Sequence, residues 1–166
     1  FLPQTTGLAD PDLRVAAGAA EVDSIYIHVP PNGQVHYPAR VLVALHGMGG
    51  NGEEFSRALL PEADANGWIV IAPTIRFGDW TDSAQIAREE PALIAWLSAY
   101  LDQLPRTIGL PSAQRVLLLG HSRGAQLALR YTEFHPERVR GVAAIAAGTY
   151  TLPFNVDASN PPLTFP

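Results

Sequence analysis

The chain has 166 residues, of which 47% are hydrophobic and 16% charged, and a formal net charge of −5 at pH 7. This composition predicts one soluble globular domain over residues 1–166 and gives no reason to expect an anionic membrane or a nucleic acid as partner, because both require clustered positive charge. Without cysteine there is no disulfide, thiolate metal site or cysteine nucleophile, and no apolar run is long enough for a membrane span.

The first third of the chain predicts two strands after an irregular start. Residues 1–20 are rich in Ala, Gly, Pro and Asp and predict an irregular lead-in. Alternating polar and apolar residues over 24–29 predict a half-buried edge strand, and the continuous apolar run over 41–45 predicts a strand buried on both faces. We interpret His28 and His36 in this region as structural or solvated histidines rather than as ligands.

The middle of the chain predicts helix, strand and helix. A helix is expected over 53–65, although Pro61 would break or kink it. The next buried strand is expected over 68–72, where Pro73 would stop it. Apolar residues recur near a period of 3.6 over about 89–104, which predicts a long amphipathic helix.

The last third predicts a strand over 115–119, a helix over 123–134 and a further buried strand over 142–147. Strands and helices therefore alternate from residue 41 onward. This alternation is typical of the α/β class and predicts a doubly wound, mainly parallel sheet.

The most informative motif lies between the predicted strand and helix of this last third. Residues 120–124 read Gly-His-Ser-Arg-Gly, and a Gly-x-Ser-x-Gly turn between strand and helix is the pattern of a nucleophile elbow. Ser122 is therefore the candidate nucleophile, with Gly120 and Gly124 leaving room for strand and helix to close together and His121 as a supporting residue. The alternative is a Gly-Ser turn without chemistry.

A glycine-rich loop follows the predicted strand over 41–45. It contains His46, Gly47, Met48, Gly49 and Gly50. Such a loop can turn its backbone amides toward a cavity, as an oxyanion hole for acyl transfer requires.

We predict that the Met48 amide forms a two-donor hole with the Arg123 amide, while His46 hydrogen-bonds within the loop and holds its shape. The alternative is a loop that only links strand to helix or binds phosphate. The phosphate reading is weak because the run lacks the Gly-Lys-Ser/Thr ending.

Together these motifs and the order of elements between them resemble the α/β-hydrolase superfamily of the serine esterase and lipase type, over about residues 24–150. The stretch over 131–142 is similar to that family too. The His-Gly start of the loop resembles carboxylesterases and the polyester depolymerase and feruloyl esterase branch. The resemblance implies a doubly wound α/β-hydrolase fold, of which these residues are expected to be the N-terminal part, incomplete at the C-terminus.

The catalytic partners of Ser122 are harder to place. The family's chain order is Ser, then Asp or Glu, then His, and the only histidine after Ser122 is His135. A helix over 123–134 would put His135 at its far end, so we weigh it as a surface histidine first and as a base second. Asp157 is the candidate acid, with a plain loop aspartate as the alternative. We therefore expect a second polypeptide segment to carry the acid and base.

Trp80 follows a strand end, where it would line a substrate pocket or cap the core. No metal-binding motif or dinucleotide fingerprint is present, so we expect no metal and no cofactor. The first residue is Phe1 rather than Met, which indicates either removal of a secretory signal or trimming of the chain. The location stays open at this point, with a secreted or periplasmic one favoured over a cytoplasmic one.

The sequence thus supports a serine hydrolase of small-molecule or polymeric carboxylic esters. A non-catalytic binding module of the same fold, and a serine peptidase or acyltransferase, remain as alternatives.

Overall fold

One six-stranded sheet, in the order β1-β2-β4-β3-β5-β6, organises the chain. The computed structural model describes residues 5–8, 20–31, 34–79 and 81–150, the first of these ranges by its backbone alone. The strands are β1 Thr5–Leu8, β2 Glu21–His28, β3 Arg40–Leu45, β4 Trp68–Arg76, β5 Val116–His121 and β6 Val139–Ile145.

Strand pairing confirms the predicted mainly parallel sheet. β4, β3, β5 and β6 run parallel to one another, whereas β2 is antiparallel to both β4 and β1. The expected irregular lead-in is wrong for Thr5–Leu8, which pairs with β2, and residues 1–4 and 9–19 lie outside the described residues. Because β1 covers its outer side, β2 is not the edge strand that its alternation predicted.

Helices cover both faces of the sheet, which confirms the doubly wound architecture. They are α1 Gly52–Ser56, α2 Leu60–Ala65, α3 Ser83–Ile108 and α4 Arg123–Phe134. Alternate residues of β3 belong to different cores: Val43 packs in the cluster that includes Leu97 and Leu127 of α3 and α4, and Leu42 packs with Ala63 of α2. The period of 2 along each strand sends consecutive side chains to opposite faces.

Two elements, β4 and α3, are longer than predicted. β4 continues through Pro73 to Arg76, because its pairing with β3 ends at Ile71 and only β2 pairs with it at Pro73. α3 begins at Ser83, earlier than expected, and contains Pro91. The Asp82 side chain accepts a hydrogen bond from the Gln85 N–H and caps this helix. The buried face of α3 is long, and each large apolar side chain on it stabilises the fold by about 1.5–3 kcal/mol. Together these contributions outweigh the roughly 3 kcal/mol cost of an interior proline.

The helix expected over 53–65 is divided into α1, a 3₁₀ turn over Arg57–Leu59, and α2. Pro61 lies in the first turn of α2, where a missing N–H costs least. β6 begins at Val139 and ends at Ile145, so the expected strand over 142–147 is shifted toward the N-terminus.

None of the helices in the described ranges is both long and apolar enough to cross a membrane.

Candidate active site

Two loops at the carboxyl edge of the sheet bring the sequence motifs together. β3 and β5 are adjacent and parallel, with Leu45 in register with Gly120, so the segments that follow them leave the sheet side by side. A Cβ placed on Gly47 would lie 3.2 Å from the Ser122 Cβ. The glycine-rich loop and the serine turn therefore form one site.

Ser122 occupies the sharp turn between β5 and α4. Its φ of 53° and ψ of −116° lie outside the regions that L residues favour, a conformation that costs about 1–3 kcal/mol and is concentrated at functional sites. Its N–H donates a hydrogen bond to the Ile145 carbonyl oxygen at 2.9 Å. Pairing with β6 thus helps to hold this strained turn.

Gly124 lets α4 begin in contact with the end of β3. A Cβ at this position would lie 2.1 Å from the Leu45 carbonyl oxygen and 2.5 Å from that of His46. Both are backbone atoms, so neither can rotate away. Gly120 meets the same limit, with a Cβ 2.3 Å from the Gly124 carbonyl oxygen.

Of the two amides that the sequence assigns to an oxyanion hole, that of Arg123 lies at the start of α4 and that of Met48 lies within the loop between β3 and α1. Arg123 is the first residue of α4, so its N–H has no acceptor within the helix. Met48 lines the same cleft as Ser122. The loop turns sharply at this point. Gly49 has a φ of +68°, and the Gly50 N–H donates a hydrogen bond to the Gly47 carbonyl oxygen.

His46 anchors the glycine-rich loop from within the protein. It is 1% exposed, its Nδ1 bonds the Gly47 carbonyl oxygen, and its Nε2 lies 2.9 Å from the Ile75 nitrogen. Because a backbone N–H can only donate, Nε2 is the acceptor and Nδ1 carries the proton. Burial lowers the pKa of His46 from 6.5, against the opposing effect of the Gly47 hydrogen bond. Both ring nitrogens are engaged, so this histidine does not serve as a base for Ser122.

The neutral state of His46 makes stability depend on pH. Below about pH 6.5 the unfolded chain takes up a proton at this ring before the folded chain does, so the free energy of unfolding falls as the pH drops through this window. We expect His46→Gln, measured by urea unfolding between pH 8 and pH 5, to lose less stability over the window than the wild type. The exposed histidine variant His36→Gln should follow the wild type, and equal pH slopes for wild type and His46→Gln would contradict the assignment.

A cleft of about 310 Å³ opens at Ser122, close to the lower limit for small-molecule pockets. His121, an exposed side chain whose ring centre lies 6.5 Å from that of Phe55, borders it. The residues that line the cleft are His46, Gly47, Met48, Gly50, Asn51, Glu54, Phe55, His121 and Ser122. Asn51 caps α1 through the Glu54 N–H. The sequence analysis did not single out Glu54 or Phe55.

The sequence analysis also missed a buried cluster of charged side chains next to the serine turn. We define the α3–α4 charge cluster as Glu89, Glu90, Arg123 and Arg130. Arg123 contacts Glu89 at 3.1 Å and Glu90 at 2.8 Å, and Arg130 contacts Glu90 at 2.8 Å. Burial raises the pKa of Glu90, while Arg130 and Arg123 act in the opposite direction. The only sequence features that indicate this cluster are the adjacent acids Glu89 and Glu90 of α3 and the arginine inside the serine motif.

Other candidate residues are not brought to this site. His135 follows the last residue of α4 and lies near Glu137, at 3.5 Å, so a helix length of about 18 Å separates it from Ser122. His28 is buried against Asp64, at 2.6 Å, and His36 is exposed. Trp80 and Asp157 lie outside the described residues. No group of His, Asp and Glu in the described ranges is arranged to hold a metal ion.

A family model described as the α/β-hydrolase fold matches residues 40–165. No curated protein matches the chain.

Several solved structures are similar to this chain in fold. Poly(aspartic acid) hydrolase-1 from Sphingomonas sp. KT-1 is 24% identical, with a TM-score of 0.62, over 79% of this chain and 53% of that protein. Poly(3-hydroxybutyrate) depolymerase from Bordetella parapertussis is 25% identical, with a TM-score of 0.62, over 79% and 48%.

Acetyl xylan esterase from Aspergillus awamori is 20% identical, with a TM-score of 0.51, over 96% and 56%. The chain therefore spans about half the length of these three proteins.

Proposed function

The chain belongs to the α/β-hydrolase family, and from this we propose that it is the part of a serine hydrolase that carries the nucleophile and the oxyanion hole. Ser122 is the nucleophile of an elbow between β5 and α4. Its substrate is a carboxylic ester.

The observation that carries the proposal is the strained backbone of Ser122 at the start of α4, in a cleft shared with the Met48 loop. A non-glycine residue with positive φ at a strand-to-helix turn is costly, and the surrounding contacts maintain it. The elbow geometry presents the hydroxyl above the sheet, and the helix N-terminus favours negative charge beside it.

The proposed reaction begins when Ser122 Oγ attacks the ester carbonyl carbon and its proton passes to a general base. The carbonyl oxygen becomes an oxyanion, which accepts hydrogen bonds from the Met48 and Arg123 amides. Collapse of this intermediate breaks the bond to the alcohol oxygen, which takes the proton from the base. Water then hydrolyses the acyl-enzyme by the same route and releases the acid.

The general base and its acid partner come, in this proposal, from outside the described residues. His46 is engaged through both ring nitrogens, and His135 lies at the other end of α4. In the family order the acid and histidine follow the nucleophile in the chain. A second polypeptide segment carrying Asp and His would complete the triad.

The cleft favours a small, uncharged acyl group. Its volume of about 310 Å³ suits a short chain, and Phe55 and Met48 supply apolar contact surface. Glu54 is an acidic side chain in a lining that has no arginine, so an anionic acyl chain would be repelled. Two of the similar structures, the depolymerase and the acetyl xylan esterase, act on esters by their names.

A non-catalytic binding module is the second candidate. It is favoured by one observation: within the described residues, no Asp–His pair stands beside Ser122. Such a module would bind a ligand in the cleft without turnover. A peptidase or acyltransferase would use the same elbow and oxyanion donors.

The test is labelling of the full-length protein by a fluorophosphonate probe together with turnover of p-nitrophenyl esters and peptide p-nitroanilides. We expect labelling at Ser122 and faster turnover of acetyl and butyryl esters than of the peptide series. Preferred turnover of the peptides would establish the peptidase alternative. If the protein shows no labelling and no turnover, the result favours the binding module.

A further inference from the structure

The Arg123 guanidinium joins several segments at the carboxyl edge of the sheet. It contacts Glu89 and Glu90 of α3 and donates a hydrogen bond to Gln126 Oε1 at 2.7 Å. Gln126 Nε2 in turn donates to Thr149 Oγ1, in the segment after β6, at 2.8 Å. One side chain of the serine motif thus fixes α3, α4 and the segment after β6 against each other.

The same guanidinium reaches the glycine-rich loop through an aromatic ring. The Phe77 ring centre lies 5.2 Å from the guanidinium carbon of Arg123 and 5.8 Å from the ring centre of His46. The first distance is that of a cation–π contact, and the second ring pair meets edge to face. Arg123 and His46, which are buried, and Phe77, which is half-buried, therefore form a continuous connection between the two loops that carry the candidate oxyanion donors.

The segment around Phe77 is itself tied to α3. The Gly78 N–H donates to Glu89 Oε1 at 2.8 Å, and the Gln85 amide donates to the same oxygen at 3.0 Å. Glu89, which is fully buried, therefore holds Arg123 with one carboxylate oxygen and the segment after β4 with the other.

We propose that the Arg123 side chain is a positioning residue, which holds the Arg123 backbone amide at a fixed distance from the Met48 amide so that both donors converge on one oxygen. This inference rests on the proposed function. The planar guanidinium suits the role because its rigid fork can bind two carboxylates and stack on a ring at the same time, whereas a lysine ammonium is a flexible point charge. A buried ion pair is by itself weak support for stability, so its geometry is the more informative property.

The experiment compares Arg123→Lys and Arg123→Met with wild type in the full-length protein. The control is Arg138→Met, which removes the pairing of Arg138 with Asp102 and its bond to the Ser98 carbonyl oxygen, both in the C-terminal half of α3. We expect kcat to fall about 10- to 100-fold in both Arg123 variants, with KM within about twofold, because only the transition state uses the aligned donors. Arg138→Met should keep the wild-type kcat.

A trifluoromethyl ketone analogue of the ester provides the second readout. Ser122 Oγ adds to its carbonyl carbon and creates a tetrahedral oxyanion, so its affinity should fall in parallel with kcat, while binding of the product acid stays unchanged. A purely structural role would lower the thermal midpoint without this selective loss. If Arg123→Met does not fold, the same measurements of kcat and analogue affinity on Arg123→Lys and Phe77→Leu test the positioning role.

Unchanged kcat and analogue affinity in the folded Arg123 variants would overturn the inference. So would a change confined to KM. These outcomes leave the proposed function standing as long as Ser122→Ala is inactive, whereas an active Ser122→Ala enzyme overturns both.

Discussion

Replacing Ser122 with alanine in the full-length protein is expected to lower ester turnover by about 10⁴-fold or more and to abolish fluorophosphonate labelling. Alanine removes the attacking oxygen and leaves the backbone amides in place. Because the hydroxyl is not needed for the turn, the thermal midpoint should stay within a few degrees. Steady-state kinetics, intact-mass labelling and thermal melts check the three parts.

Two further serine variants separate function from stability. Ser122→Gly should be equally inactive but more stable by about 1 kcal/mol or more, because glycine adopts a φ of +53° without strain. Ser112→Ala, in the isolated bridge with Ala39 before β5, should keep full activity and labelling. Substantial turnover by Ser122→Ala would show that the nucleophile lies elsewhere.

Gly124→Ala is expected to have the second largest effect, a loss of about 2–4 kcal/mol in the free energy of unfolding together with most of the activity. Its Cβ would lie 2.1 Å from the Leu45 carbonyl oxygen, so α4 and the end of β3 must separate. That movement would pull the Arg123 amide away from the Met48 amide. Chemical unfolding and kcat on the same preparation measure both losses.

Gly141→Ala is the matched control, because its Cβ would meet nothing closer than a Leu117 side-chain carbon at 3.4 Å and its φ is ordinary. We expect its stability to stay within about 1 kcal/mol of wild type. If Gly124→Ala behaved like Gly141→Ala, the close approach of α4 to β3 would not be a constraint on the site.

Several elements could be predicted because their signals are local. The apolar run of β3, the helix pattern of α4 and the turn residues between β5 and α4 each lie within a short stretch, and the structure confirms these elements with small shifts at their ends. The predicted extents of β4 and α3 were too short, because β4 continues past Pro73 and α3 begins at Ser83. Pro73 is a strong local stop signal, but it lies where β4 pairs with β2 alone. The start of α3 is set by the Asp82 cap, which lies outside the apolar pattern.

By itself the sequence determined the fold class and drew attention to Ser122, Met48 and the Arg123 amide, because backbone conformation and motif spacing depend on neighbours in the chain. Only the tertiary structure brought the two loops together and surrounded the Arg123 guanidinium with Glu89, Glu90 and Phe77. The two acids precede Arg123 by 34 and 33 residues, and no local pattern specifies which buried charges will meet. That pairing is fixed by how α3 and α4 pack on the same face of the sheet, where an unpaired charge would be costly to bury.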